Sequence, residues 1–193
     1  NLENHNIDDI IGDISDFNTD NFNNNKIVAS KNINTDNHID TNNSNCDSSS
    51  GSGSGSGGDS SKKSLYADAV KLVKRAGKME KKEKTEKAKE LYTQAFKKLE
   101  KAYKSDKKNP DVLNYMGFTT RKVGNFDKAE KFYLEGLKIK PNHNGINEYL
   151  GELYVQTNRI DKANERLAVL KNCNCDEYNE LELIIKNKGV KVY

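Results

Sequence analysis

The chain has 193 residues, of which 34% are hydrophobic and 32% are charged, with two prolines, three cysteines and no tryptophan. This length allows one or two small domains, and an odd set of three cysteines is too small for a disulfide-stapled scaffold. No stretch approaches the roughly eighteen apolar residues of a membrane span, and no signal segment follows Asn1.

The net charge of +3 is divided unevenly along the chain. Residues 1–61 contain ten acidic and two basic side chains, for a net charge of −8. Residues 62–193 contain 19 acidic and 30 basic side chains, for a net charge of +11. The chain is therefore predicted to consist of an acidic tail and a basic body.

Residues 1–61 are predicted to be a disordered acidic tail that ends in a flexible Gly/Ser linker. Asparagine supplies fourteen of the first 45 residues, and glycine and serine dominate residues 48–61. Such a sequence buries too little apolar area to offset the backbone entropy that folding removes. For the acidic stretch over residues 7–14, the alternative to disorder is a transient helix or a motif that docks on another protein. Four apolar residues at helical spacing indicate this alternative. These residues are Ile7, Ile10, Ile11 and Ile14.

Residues 65–108 have the apolar spacing of a long helical hairpin, with helices predicted over residues 65–83 and 85–108. Thr85 is expected to be the N-cap of the second helix. Seventeen basic and seven acidic side chains lie within residues 62–108, so most of the positive charge of the body belongs to this hairpin.

Residues 109–175 repeat with a period of 34, which is typical of helix-turn-helix repeats. Gly117 and Gly151 are expected to let the first helix of each repeat approach its partner closely. Gly124 and Asn158 are expected to adopt the left-handed conformation in the turns. The residues that define the repeat by packing are Tyr115, Gly117, Ala129, Tyr133, Pro141, Tyr149, Gly151 and Ala163.

Residues 176–188 are predicted to form a final capping helix with one apolar face. At the repeat-defining residues, the chain resembles the tetratricopeptide repeat (TPR) family. The resemblance implies an all-α, right-handed solenoid of about three helical hairpins plus this capping helix, in a domain spanning residues 62–193. Its units would be a divergent long hairpin over 65–108, repeats over 110–143 and 144–175, and the cap over 176–188.

Few residues offer catalytic chemistry, and neither an enzyme nor a cofactor nor a metal is predicted. Two of the three histidines lie in the tail, and His143 is expected to be a solvated turn residue at a repeat junction. The paired carboxylates Asp176 with Glu177 and Glu180 with Glu182 are expected at the exposed start of the last helix, where they favour its dipole.

Cys173 and Cys175 leave three alternatives open. They are reduced junction residues, a small-ring disulfide, or half of a metal site shared across a dimer. The stretch from Cys173 to Leu181 resembles short bacterial TPR proteins that carry a Cys pair before the capping helix. That resemblance favours the cell envelope or periplasm, with the cytoplasm as the alternative.

The family resemblance implies that the first helices line a concave groove that binds a peptide or partner protein. Phe118 and Val155 would provide apolar contact, and Arg121 and Lys122 would meet acidic groups. Tyr115 and Tyr149 occupy the place of the asparagine with which some members clamp a C-terminal carboxylate, so that specificity is not implied. The groove residues implied are Asp111, Asn114, Phe118, Arg121, Lys122, Glu148, Glu152, Val155 and Gln156.

The sequence therefore predicts a protein-binding adaptor or scaffold, with two alternatives from other classes. A lysine-rich stripe on the first hairpin could attract nucleic acid, an anionic surface or the acidic tail of the chain itself. Lysine dominates this stripe, which argues against specific phosphate recognition by bidentate arginines. The second alternative is a thiol or metal role for Cys173 and Cys175.

Overall fold

The computed structural model describes residues 59–189, with side chains from 65 to 187. The predicted tail, including the stretch from Ile7 to Ile14, lies almost entirely outside the described residues. All the regular secondary structure in the described range is helical, so the prediction of an all-α fold is confirmed. The helices are α1 (Asp59–Glu80), α2 (Thr85–Ser105), α3 (Pro110–Lys122), α4 (Phe126–Ile139), α5 (Asn144–Gln156), α6 (Ile160–Leu170) and α7 (Asp176–Gly189).

Consecutive helices pair into three antiparallel hairpins, α1 with α2, α3 with α4, and α5 with α6. Each hairpin also packs on the next through α2 with α3 and α4 with α5. The last helix, α7, packs against both α5 and α6. The TPR-like solenoid implied by the family resemblance is therefore present, and α7 occupies the place of the capping helix.

Local sequence determines where several helices begin. The side chain of Asn109 accepts hydrogen bonds from the first turn of α3, and Pro110 follows it at the first helical position. The side chain of Asn125 accepts a hydrogen bond from the Lys128 amide at the start of α4. Caps of this kind satisfy amides that have no partner inside the helix.

The inter-helix turns adopt the conformation that the sequence predicts. Gly124 has a φ of +93° and Asn158 a φ of +59°, so both turns use the left-handed region. The expected capping by Thr85 is wrong, because Thr85 is already helical and Lys84 precedes it without a side-chain cap. The turn before α2 instead contains Glu83 at a φ of +57°.

The first hairpin is displaced from its predicted boundaries. α1 begins at Asp59, inside the segment expected to be linker, and α2 ends at Ser105 rather than Lys108. The earlier end has a local cause, because the Asp106 carboxylate accepts a hydrogen bond from the Lys108 amide and forms a turn there.

Two repeat glycines allow close helix packing. A Cβ atom at Gly117 would lie 2.5–2.8 Å from ring atoms of Tyr133, its partner across the α3–α4 hairpin. A Cβ atom at Gly151 would lie 2.5 Å from a methyl carbon of Leu181, which belongs to α7. Gly117 lets α3 approach its hairpin partner α4, as expected. Gly151 instead makes room for the final helix α7 and not for the second helix of its own repeat.

The junction between α6 and α7 contains a disulfide. Cys173 and Cys175 are joined, with their Cα atoms 5.2 Å apart, and Asn174 between them has a φ of +49°. Of the alternatives that the sequence left open, the structure has the disulfide. No helix of the described range combines the length and apolar character that crossing a bilayer requires.

Candidate functional site

A row of four aromatic rings runs across the first helices of the three hairpins. Tyr66 on α1 lies 5.6 Å from Tyr115 on α3, measured between ring centroids. Phe118, one helical turn after Tyr115, lies 6.4 Å from that ring and 4.9 Å from the ring of Tyr149 on α5. These four residues are called the aromatic row below. Edge-to-face and tilted ring pairs add stability beyond their buried area, so the row fastens the hairpins together.

The aromatic row remains partly accessible. Tyr66 and Phe118 are half-buried, whereas Tyr115 and Tyr149 are 4% and 9% exposed. The sequence predicts a packing role for Tyr115 and Tyr149, and the family resemblance implies a groove position for Phe118. The structure places all three in one continuous row and adds Tyr66 of the first hairpin.

Two cations lie over the aromatic row. The Arg121 guanidinium carbon is 5.6 Å from the Phe118 ring centroid and 5.7 Å from that of Tyr149. The Lys122 ammonium is 5.6 Å from the Phe118 centroid and 5.9 Å from that of Tyr92. Cations in such positions are attracted by the ring faces. Phe118 is therefore the centre of a mixed aromatic and cationic cluster.

Arg121 joins α3 to α5 by an ion pair in the interior. Its Nη1 lies 2.7 Å from Glu152 Oε2 and donates a hydrogen bond to Gln156 Oε1 at 3.2 Å. Burial by itself lowers the pKa of Arg121, but the Glu152 carboxylate and the Tyr133 hydroxyl hold that pKa above its ordinary value. The guanidinium therefore remains charged although only 5% of the residue is exposed.

Lys122 is more accessible and links α3 back to α1. Its ammonium donates a hydrogen bond to Glu80 Oε2 at 2.9 Å, and one fifth of its side chain is exposed. The Tyr92 hydroxyl donates to the same Glu80 oxygen at 3.0 Å. Lys122 is therefore held beside the aromatic row by a contact with a different helix.

A cluster of carboxyl groups lies between α5 and α7. Glu148 is 1% exposed and Glu177 is 6% exposed. Burial raises the pKa of Glu148 well above 4.5, and Glu152, a hydrogen bond with Glu180 and the charge of Glu177 add to the effect. Burial in this carboxyl cluster therefore favours the neutral form of Glu148 over its charged form.

Five of the nine expected groove residues lie in the interior. Several of them face the seam between α5 and its neighbours, where packing and ion pairs occupy their side chains. Asn114 is fully buried, and its side-chain amide makes no hydrogen bond within the part of the chain that the structure describes. The expectation that these five residues contact a partner is wrong, because their side chains are buried. They are Asn114, Arg121, Glu148, Glu152 and Val155.

Four of the nine expected groove residues retain accessible side chains. Phe118 and Lys122 are partly exposed, and Asp111 and Gln156 are exposed. Gln156 receives the hydrogen bond from Arg121, so it lies at the rim beside the aromatic row. The accessible part of the predicted groove therefore centres on Phe118.

His143 is a structural residue rather than the solvated turn residue that was expected. It is only 6% exposed, and its Nδ1 accepts a hydrogen bond from the Ile146 amide at 3.2 Å. This arrangement leaves Nε2 as the donor to Asp111 Oδ1 at 2.8 Å. The hydrogen bond from His143 lowers the pKa of Asp111. His143 stands directly before α5 and acts as its N-cap. Its place before a predicted helix was the feature of the sequence that could have indicated this role.

The acidic residues of α7 differ in exposure, although all of them were expected on an exposed face. Glu177 was expected on an exposed face, but α7 turns it toward α5, where it is buried. Glu182 behaves as expected and pairs with Lys186 at 2.8 Å on the outside of α7. The difference arises because Glu177 lies one turn before Leu181, on the face that packs.

The lysines of the first hairpin are distributed over exposed helix faces. Lys98 lies 3.5 Å from Asp68, and Lys104 lies 3.1 Å from Glu100. These pairs moderate the positive potential of the hairpin. Among the residues with described side chains, no cluster of histidine, cysteine or carboxylate residues is arranged to hold a metal ion.

No family model matches the sequence, and no curated protein is similar to it in sequence. Solved structures are similar in fold. The type III secretion chaperone SycD of Yersinia enterocolitica, solved with a peptide of the translocator YopD, aligns over 67% of this chain and 89% of its own, with 17% identity and a TM-score of 0.50.

Two further structures align less closely. The first TPR of Spaghetti (RPAP3), solved with the HSP90 peptide SRMEEVD, aligns over 63% of this chain and 94% of its own, with 20% identity and a TM-score of 0.42. The Sgt2 TPR domain from Aspergillus fumigatus aligns over 62% of this chain and 78% of its own, with 19% identity and a TM-score of 0.41. At these identities the likeness concerns the fold.

Proposed function

We propose that this TPR-like chain is a non-enzymatic adaptor that binds a peptide segment of a partner on the face formed by α1, α3 and α5. The observation that carries the proposal is the half-buried Phe118 at the centre of the aromatic row, with Arg121 and Lys122 over its ring. A concave apolar surface with few polar groups is typical of peptide grooves. The chaperone SycD, which has a similar fold, was solved with a peptide bound.

The accessible residues define what the peptide must contain. Phe118 and Tyr66 offer apolar area for one or two anchor side chains, and aromatic residues of this kind often dominate binding energy. Lys122 beside the row favours an acidic group next to those anchors. The predicted ligand is therefore a short segment that combines apolar anchors with acidic residues.

The test uses the full chain and a library of displayed random peptides. Selected peptides should bind the wild-type chain and lose at least about tenfold in affinity to Phe118→Ala, since a hot-spot residue contributes more than about 1.4 kcal/mol. Phe118→Leu keeps apolar bulk and should retain more of the affinity. Leu134→Ala is the matched control, because Leu134 is 39% exposed on α4, a second helix, outside the aromatic row.

Circular dichroism of each variant checks that its helices are intact. Enrichment of no peptide, or equal loss in Phe118→Ala and Leu134→Ala, would contradict the proposal. Peptides that bind Phe118→Ala as tightly as the wild-type chain would place the binding surface elsewhere.

A further inference from the structure

We infer that the partner segment carries a basic side chain that pairs with Asp111, in addition to the apolar anchor on Phe118 and the acidic group near Lys122. This inference rests on the proposed function, since it concerns the same face of the solenoid. It goes further, because it names a new recognition residue and fixes the order and spacing of the charges in the ligand.

Asp111 lies on the same stripe of α3 as Phe118 and Lys122. Four residues of the stripe follow the spacing i, i+4, i+7, i+11, which places them on one face of a helix. They are Asp111, Tyr115, Phe118 and Lys122. The stripe therefore has a carboxylate at one end, aromatic rings in the middle and an ammonium at the other end.

The carboxylate of Asp111 is fixed in position but remains accessible. Its Oδ1 accepts a hydrogen bond from His143 Nε2 at 2.8 Å, and 58% of the Asp111 side chain is exposed. His143 is buried and caps α5, so packing holds its imidazole in place. The contact therefore orients the Asp111 carboxylate without covering it.

The hydrogen bond from His143 does not cancel the negative charge of Asp111. The Nδ1 atom of His143 accepts a hydrogen bond from the Ile146 amide, so Nδ1 carries no proton and the ring that donates from Nε2 is neutral. The charge of Lys140 acts on the same carboxylate, but more weakly than the hydrogen bond. A charged, oriented and accessible carboxylate suits a lysine or arginine side chain of the ligand.

Helix geometry fixes the spacing of the ligand groups. Asp111 precedes Phe118 by seven residues, about 10 Å along α3, and Lys122 follows Phe118 by four residues, about 6 Å. An extended peptide advances about 3.3 Å per residue. In an extended ligand, the basic residue is therefore about three positions from the apolar anchor, and the acidic residue is about two positions away on the other side.

The pair with Asp111 adds selectivity rather than most of the affinity. Exposed ion pairs contribute modestly, because water screens both charges and the side chains lose entropy. Removal of the basic group from the ligand is therefore expected to weaken binding about threefold. Removal of the Phe118 ring is expected to weaken it at least about tenfold.

The first experiment examines the peptides that the full chain selects from the random library. Lysine or arginine should be enriched about three positions from the apolar anchor, with aspartate or glutamate about two positions away on its other side. Selection with Asp111→Asn should lose the preference for a basic residue and keep the apolar anchor. Asp127→Asn is the matched control, because Asp127 is the exposed second residue of α4, as Asp111 is of α3, and lies outside the stripe.

A double-mutant cycle on one selected peptide measures the pair directly. Replacement of the basic residue of the peptide by glutamine should lower the affinity about threefold for the wild-type chain and for Asp127→Asn, and should have no effect on binding to Asp111→Asn. The asparagine keeps an acceptor oxygen for His143, so this variant removes the charge and retains the junction. The coupling should shrink between 0.1 and 1 M salt, because the Debye length falls from about 10 to about 3 Å.

Charge reversal provides an independent check in the same anisotropy assay. Asp111→Lys should bind the original peptide more weakly and should regain affinity when the basic residue of the peptide is replaced by glutamate. Circular dichroism of each variant checks that its helices are intact.

The outcomes separate this inference from the proposed function. Selected peptides without a basic position, or equal losses of affinity for the wild-type chain and Asp111→Asn in the cycle, would overturn the inference. If those peptides still require Phe118, the inference about Asp111 fails and the proposed function stands. If no peptide binds the wild-type chain, the proposed function fails and the inference fails with it.

Discussion

Two glutamates on α5, Glu148 and Glu152, are buried in the solenoid but have different neighbours. Glu152 faces the Arg121 guanidinium at 2.7 Å, whereas Glu148, one turn earlier, faces the carboxyls of Glu177 and Glu180. A buried carboxylate needs a cation or it takes up a proton. The neighbours on other helices, rather than the residue type, therefore decide the charge of each side chain.

The raised pKa of Glu148 predicts a pH dependence of stability. Because its folded pKa is raised above 4.5, the stability it contributes is fully present below about pH 4.5 and is lost as the pH rises through the folded pKa. Glu148→Gln removes this titration and should stabilise the chain at pH 7–8 by about 1–2 kcal/mol, within the usual range of single substitutions. Urea denaturation across pH 4–8 measures the effect.

Glu165→Gln is the control for this substitution. Two thirds of the Glu165 side chain is exposed, and its carboxylate lies 3.8 Å from the Arg166 guanidinium. This variant should leave the pH profile of stability unchanged. A Glu148→Gln chain with the same profile as the wild-type chain would show that Glu148 is charged in the folded state.

At the scale of elements, α7 completes the solenoid. Its Leu181 fills the space that the missing side chain of Gly151 leaves on α5, and Ile184 joins the core cluster that contains Tyr149 and Leu150. A solenoid unit buries its apolar face only against a neighbour, so the last hairpin needs such a cap. α7 is therefore part of the core rather than an appendage.

Two leucines of α7 provide a matched test of this role. Leu181→Ala should lower the free energy of unfolding by about 2–4 kcal/mol, because Leu181 is fully buried and its loss leaves a cavity. Leu183→Ala should change it by less than about 0.5 kcal/mol, because Leu183 is 56% exposed. Thermal unfolding of both variants measures the difference. Equal effects would mean that α7 does not pack as described.

At the scale of the whole molecule, most of the positive charge and most of the aromatic row belong to different helices. Most of the charge belongs to α1 and α2, whereas the row crosses from α1 through α3 to α5. A nucleic-acid function would depend on the lysines, and a peptide function would depend on the row. The two functions therefore respond to different substitutions.

Replacement of four lysines on α2 by glutamine separates these dependences. Lys97, Lys98, Lys101 and Lys104 are accessible, and exposed pairs contribute little to stability. The variant should stay folded and bind the selected peptide within about threefold of the wild-type affinity. Fluorescence anisotropy with labelled peptide and with labelled DNA at 50 and 200 mM salt measures both ligands. Loss of peptide binding would contradict the assignment to the aromatic row.

Much of the fold could be predicted from local patterns. The 34-residue period, the spacing of apolar residues and the turn residues Gly124 and Asn158 together predicted the hairpins and their turns. The packing requirement at Gly117 was also predictable. These features depend on a few neighbouring residues, because helical periodicity and left-handed turns are local properties of the backbone.

The amino-acid sequence alone determined the helical repeat, the order of the hairpins and the presence of a final helix with one apolar face. Only the tertiary structure decided which polar residues are accessible. Arg121, Glu148 and Glu177 have side chains that are usually exposed, yet helices distant in the sequence cover them. The physical reason is that burial depends on which faces meet after the helices pack, and the period of a repeat does not contain that information.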